Sequence, residues 1–313
     1  MIVGALFQNL SLLSLLSSLP GAFAQGLIWG IVGLGVYISY KVLDIPDLTV
    51  DGSLATGGAV AVMCILHGCP PAVSLVIAFI SGLAAGLLTG FFHTTLGIPD
   101  ILAGILSQIA LYSINLNIMG RSNQAVSVDM YRLVVSLRHI PHALVVSILF
   151  IIVIMILVYC FMGTEFGCAL RSTGCNKNMS RAQGVNTNVA ILVGLMLSNG
   201  LVGLAGGLLA QYQGNADVNM GRGAIVIGLA AVIIGLVLGE AIFGKRLNFI
   251  GKMAFVVIGA VIYYLVITVV LWLGLPSNDM KLFSAIIVAV FLAVPYLSGK
   301  KKASFKKAGK NKC

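Results

Sequence analysis

The chain has 313 residues, of which 59% are hydrophobic and 9% charged, with a net charge of +10 and a mean hydropathy of +1.06. So little charge excludes a water-soluble domain of this size, whose surface would need far more of it. Apolar runs of about 20 residues recur, the length a helix needs to cross the roughly 30 Å hydrocarbon layer. The 37 glycines suit helices that approach closely inside a membrane. The fold class is all-α and polytopic; the short alternating segments of a membrane β-barrel are missing from the sequence.

Residues 3–19 read as a first membrane or interfacial segment. The A-F-A in "LLSLLSSLPGAFAQ" looks like a signal-peptidase site, yet no basic region precedes it and the apolar sequence resumes at once. Apolar runs follow at 22–40, 52–68, 71–92, 101–119, 142–162, 189–211, 223–243, 250–273 and 282–298. With 3–19 the expectation is about nine or ten transmembrane helices, in one domain over 1–299, followed by a basic tail at 300–313.

A broken-helix segment is expected after the first long run, at "LDIPDLTVDG", 43–52. Pro46 removes a donor and disfavours helix before it, and three aspartates cluster around it. The stretch "LGIPDILAGI", 96–105, echoes it weakly. Asp47 and Asp100 read as helix caps. Asp51, beside Gly52 and the small-residue run that follows, sits deepest along the next helix, where an acid is a functional candidate by default.

The tail "KKKASFKKAGKNKC" places the C-terminus in the cytoplasm by the positive-inside tendency. Counting backwards puts 41–51, 93–100, 163–188 and 244–249 inside, and 69–70, 120–141, 212–222 and 274–281 outside. With Lys252 at the inner end of its helix, basic residues then divide fourteen inside to five outside, the tail carrying most of the difference. That tail reads as a topology signal at a lipid surface, not as a nucleic-acid site.

No enzyme constellation is present. The sequence lacks a G-x-x-x-x-G-K-[ST] phosphate loop, so it carries no ATP site of that kind, and H-E-x-x-H and G-x-S-x-G are absent too. His139 and His142 in "RHIPH" have no cysteine or carboxylate near them and read as an interfacial loop, so neither a metal nor another cofactor is expected. Polar residues within apolar runs are Ser107, Gln108, Asn115, Asn117, Asn199 and Gln211. Each can bond a neighbouring helix or line a path.

The longest hydrophilic connection, 163–188, is "GTEFGCALRSTGCNKNMSRAQGVNTN". Its middle suits a short helix closed by Gly184, lying on the membrane face. With the glycine-rich run that follows, residues 164–210 resemble the coupling region of ABC importer permeases of the branched-chain amino acid and ribose type. "IPDLTVDGSLATGGAVAV" at 45–62 is similar to a segment of sugar permeases in this superfamily, and "GRGAIVIGLAAVIIGLVLGEAIFG" at 221–244 stands in place of its small-residue helix. The resemblance is closest to a subgroup paired with tryptophan-type binding proteins.

The resemblance implies a permease subunit without its own ATP site, moving a small polar solute by alternating access. The solute would be an amino acid, aromatic ones included. The implied partners are cytoplasmic ATP-binding subunits, an external solute-binding protein, a second permease copy and membrane lipid. The implied ATPase-coupling stretch is Asn176, Lys177, Asn178, Met179, Ser180, Arg181, Ala182, Gln183 and Gly184. "CNKNMS" departs from the usual acidic start there. Thr49, Asp51, Gln108 and Asn115 are the candidates for the substrate path. The residues leave a second reading open: an ion-gradient-driven secondary transporter, with Asp51 as a coupling acid.

Overall fold

The computed structural model describes residues 12–273 except 128, 129, 132, 245 and 246, together with 282, 285, 286, 288, 289 and 293; of 12–15 it describes the backbone alone. The helices, in chain order, begin with α1 (Leu12–Val36), which a π-helical turn continues to Val42, and α2 (Val50–Leu66). Next come α3 (Pro71–Thr94), α4 (Asp100–Met119) and α5 (Ile140–Gly163). Two short helices, α6 (Glu165–Cys175) and α7 (Lys177–Ala182), lead to α8 (Thr187–Gln213), α9 (Ala224–Phe243) and α10 (Phe249–Trp272). Strands β1 (Asn123–Ala125) and β2 (Asn215–Asp217) pair antiparallel.

Seven of these elements are long and apolar enough to cross a membrane. The apolar α2 has 17 residues, about 25 Å at the helical rise. Eight of the expected runs are thus helices, and the chain is an all-α polytopic membrane protein. Residues 12–19 are not a separate segment: α1 passes through Pro20 without a break, as neighbouring helices allow in a membrane. Residues 1–11, most of 282–298 and the lysine tail lie outside the described residues.

Local signals set most boundaries. Pro71 opens α3 and Pro141 lies in the first turn of α5, where a missing N–H costs nothing. Left-handed Gly120 and Gly214 close α4 and α8.

The long helix α8 forms the centre, with α1, α2 and α3 packed around it. Glycine lets the backbones touch: a Cβ on Gly206 would collide with the Leu54 carbonyl of α2, and one on Gly82 of α3 with that of Asn199.

Connections group at two ends as the backward count expects. At one end the Tyr212 hydroxyl donates to Gly21 O at 3.2 Å, Gln211 Nε2 to Pro71 O at 2.9 Å, and Val126 N–H to Gly214 O at 2.8 Å. At the other, Leu43 lies against Gly194, and the Arg171 guanidinium sits 5.9 Å from the Phe249 ring centroid.

Candidate functional site

Two irregular segments, one from each end, meet inside the bundle. The first follows the π-turn. Leu43 N–H donates to Ile38 O and Ile45 N–H to Ser39 O, each at 3.0 Å, Asp44 takes a left-handed φ of 57°, and the chain turns back to start α2. The buried Asp47 holds this return in place. One carboxylate oxygen accepts the Thr49 N–H at 2.9 Å, and the other accepts from Asn199 Nδ2 at 2.6 Å. Asn199 Oδ1 in turn accepts the Ser53 hydroxyl at 2.6 Å. Asn199 stands halfway along α8, so the Asp47 carboxylate, the Asn199 amide and the Ser53 hydroxyl lie at mid-depth.

The second segment, 218–223, leads from β2 back into the bundle to start α9. Gly223, left-handed at φ 89°, donates its N–H to Asp51 at 3.0 Å, and Ile225 N–H reaches the other oxygen of the same carboxylate at 2.9 Å. Asp51 therefore caps a helix far away in sequence, where its charge meets the positive end of the helix dipole. Gly221 packs on the Asp51 carbonyl so closely that any Cβ would overlap it. By the positive-inside tendency 41–51 and 212–222 belong on opposite sides. Their tips instead touch, because both leave the surface to start helices at depth.

Beside this junction lies a cavity of about 290 Å³ lined by Asp51, Ala55, Gln108, Tyr112, Asn115 and Arg222, among others. Gln108, Tyr112 and Asn115 recur at helical spacing and share one face of α4. Asn115 is fully buried, and both atoms of its carboxamide lack a hydrogen-bond partner among the described residues. Tyr112 and Arg222 are exposed, and Gln108 is partly so. Among the described residues Arg222 has no carboxylate partner. Three of the four expected path residues thus come together here. Thr49 does not: it is fully buried and shares a 2.6 Å hydrogen bond with Thr89 on α3.

Arg222 and Tyr112 were not legible as site residues in the sequence. Arg222 reads there as an ordinary loop cation, its one distinguishing sign being the glycines on either side; Tyr112 reads as one more apolar residue. Of the other polar residues, Gln211 and Asn199 bond neighbouring helices, Ser107 is buried without a hydrogen-bond partner among the described residues, and Asn117 is exposed. Among the described residues no group of three His, Cys, Asp or Glu is placed to hold a metal.

The connection 163–188 folds into α6 and α7, held by near neighbours. Asn176 caps α7, its side chain accepting the Met179 N–H at 3.0 Å. At the other end Gly184, at φ 84°, donates to Arg181 O, and Val185 N–H reaches back to Ser180 O, both at 3.0 Å. These two bonds make a Schellman closure, the stop expected at that glycine. Arg181 Nε donates to Thr187 Oγ1 at 2.8 Å and ties α7 to the start of α8. Ser180 is buried, whereas Asn176, Lys177, Asn178, Met179, Arg181, Ala182, Gln183 and Gly184 are exposed.

The profile of the family described as "Branched-chain amino acid transport system / permease component" matches residues 19–295. The chain belongs to this family. Among related permeases, the tyrosine transport system permease protein of Clostridioides difficile is 37% identical over 90% of this chain and 93% of its own length. The probable branched-chain amino acid transport permease protein LivH of Methanocaldococcus jannaschii is 30% identical over 62% of this chain and 66% of that one. The galactofuranose transporter permease protein YtfT of Escherichia coli is 25% identical over 79% and 71%. No solved structure matches. This permease is a multi-pass membrane component of a transport system.

Proposed function

We propose that this permease is the membrane subunit of an ATP-driven importer for an amino acid, with aromatic ones among its substrates. The single observation that carries the path is the polar cavity at the junction of the two breaks. Tyr112 and Arg222 are exposed and Gln108 partly exposed near mid-depth, where a charged side chain facing lipid is strongly disfavoured. Irregular backbone at that depth has to be buried in protein or to line a wet cavity. The open flank of the cavity therefore faces water shared with a second permease copy. The amino-acid reading draws on the family description and on the tyrosine transport relative.

In this mechanism an external binding protein delivers the solute and supplies most of the selectivity. The two copies then rock between outward-open and inward-open states around the cavity. ATP is hydrolysed on separate cytoplasmic subunits that grip the exposed residues of the stretch Asn176 to Gly184. The same-end grouping of α6, α7 and the 95–99 turn suits a cytoplasmic face, and the basic tail at 300–313 belongs on that side.

Gentle purification of the tagged protein from native membranes, with mass spectrometry of whatever accompanies it, tests this reading. A nucleotide-binding subunit is expected, and it should be lost when 176–184 is altered. A stable preparation without one, together with uptake into proteoliposomes that needs an imposed ion gradient and no ATP, would instead establish gradient-driven transport, with Asp51 as its first coupling acid.

A further inference from the structure

The cavity presents one fixed anion and one cation that do not pair with each other. The Asp51 carboxylate is oriented by the N–H groups of Gly223 and Ile225, and a carboxylate has lone pairs left beyond two such bonds. Arg222, an exposed residue that lines the same cavity, offers its fork of donors to no carboxylate among the described residues. The same cavity is lined by Asn115, fully buried, its carboxamide donor and acceptor both unpaired among the described residues. A buried amide without a partner is costly in any folded protein and marks a place where a further polar group belongs. An anion, a cation and an unpaired amide around one small space are the complement of a small zwitterion, whereas a neutral sugar would leave both charges unmatched.

We propose that Arg222 and Asn115 form a solute-recognition site within the permease itself, Arg222 taking the carboxylate of a zwitterionic solute and Asn115 bonding its polar groups while the ammonium end faces Asp51. This rests on the cavity being the path and adds to it a selectivity that belongs to this chain and not to an external binding protein. The guanidinium is suited to the task, since it meets a carboxylate with two parallel hydrogen bonds.

The test uses the full-length purified protein carrying Ile109→Cys, a position on the cavity wall that is 62% exposed. Its labelling by a charged, membrane-impermeant thiol reagent is followed by peptide mass spectrometry, without any binding protein present. Labelling of position 109 reports whether the flank is wet; a flank that does not label sinks the path itself. Leucine, phenylalanine and tyrosine, and the carboxamide of each, are then added as protectants. At least one free amino acid should slow labelling, and its carboxamide should need about tenfold higher concentration for the same effect, the scale of a charged hydrogen bond. Arg222→Gln should erase that difference, Arg222→Lys should keep part of it, and Asn115→Leu should weaken protection by acid and amide alike. A wet flank with equal protection by acid and amide, or with no protection by any of the three, overturns the recognition site and leaves the path standing.

Discussion

The cavity and the α6–α7 connection are built in opposite ways. In α7 and at its ends the shaping hydrogen bonds join close neighbours: Asn176 to Met179, Val185 to Ser180, Arg181 to Thr187. At the cavity the deciding bonds join Asp47 to Asn199 and Asp51 to Gly223 and Ile225, partners 152 to 174 positions apart. The first takes its shape from local bonds, with α6 docked on the bundle through buried Leu170 and through Gly174 against the Val42 carbonyl, and it can change its exposed side chains freely. The second exists only when α2, α4, α8 and the 218–223 segment are assembled. A rigid exposed module suits a docking role, and a junction of breaks suits a moving path.

The largest effect on this contrast should come from Asp51→Ala. It leaves two N–H groups at a helix start without acceptors, a loss of about 2–4 kcal/mol from unsatisfied donors. Thermal unfolding in detergent should show it, together with loss of uptake. Asp51→Asn keeps an acceptor oxygen and should lose less stability, yet should impair uptake more than Asp44→Asn does. Next comes the Asp47–Asn199 pair. A double-mutant cycle with Asp47→Ala and Asn199→Ala should give a coupling of about 1 kcal/mol or more; simple additivity would mean the mid-depth network does not hold the break.

The surface module should respond more weakly and only locally. Gly184→Ala forces a side chain into a left-handed backbone, at about 1 kcal/mol. Asn176→Ala removes a cap worth about as much. Hydrogen exchange should quicken at Met179 and Val185 in these variants and stay unchanged at the cavity. The smallest effect belongs to Asp44→Asn, expected within about 0.5 kcal/mol, because the residue is exposed and asparagine tolerates its left-handed backbone.

The same contrast explains what could be read from the sequence. Helix runs, the stop at Gly184 and the break around Pro46 are signalled by residues next to the feature they make. The three aspartates were visible as a cluster, but their fates differ for reasons that lie elsewhere in the chain. Asp44 stays in solvent, Asp47 meets Asn199, and Asp51 meets the start of α9. Nothing local distinguishes a cap on its own helix from a cap on one whose N–H groups lie 172 and 174 positions later. Thr49 looked like a path residue because it neighbours Asp51 in sequence, and helical rotation turns it toward Thr89 instead. Arg222 was hidden for the converse reason: a connection counted as surface returns to mid-depth.

The central claim is that solute passage and ATPase docking reside in these two separate regions. One comparison tests it most directly: uptake and co-purified nucleotide-binding subunit, measured together in native membranes for Asn115→Leu and for the double variant Arg181→Ala, Gly184→Ala. The account predicts that Asn115→Leu keeps its partner subunit and loses uptake, whereas the double variant loses the subunit and uptake together while still inserted in the membrane. A double variant that retains the subunit and normal uptake, or an Asn115→Leu protein that transports like the parent, would contradict it.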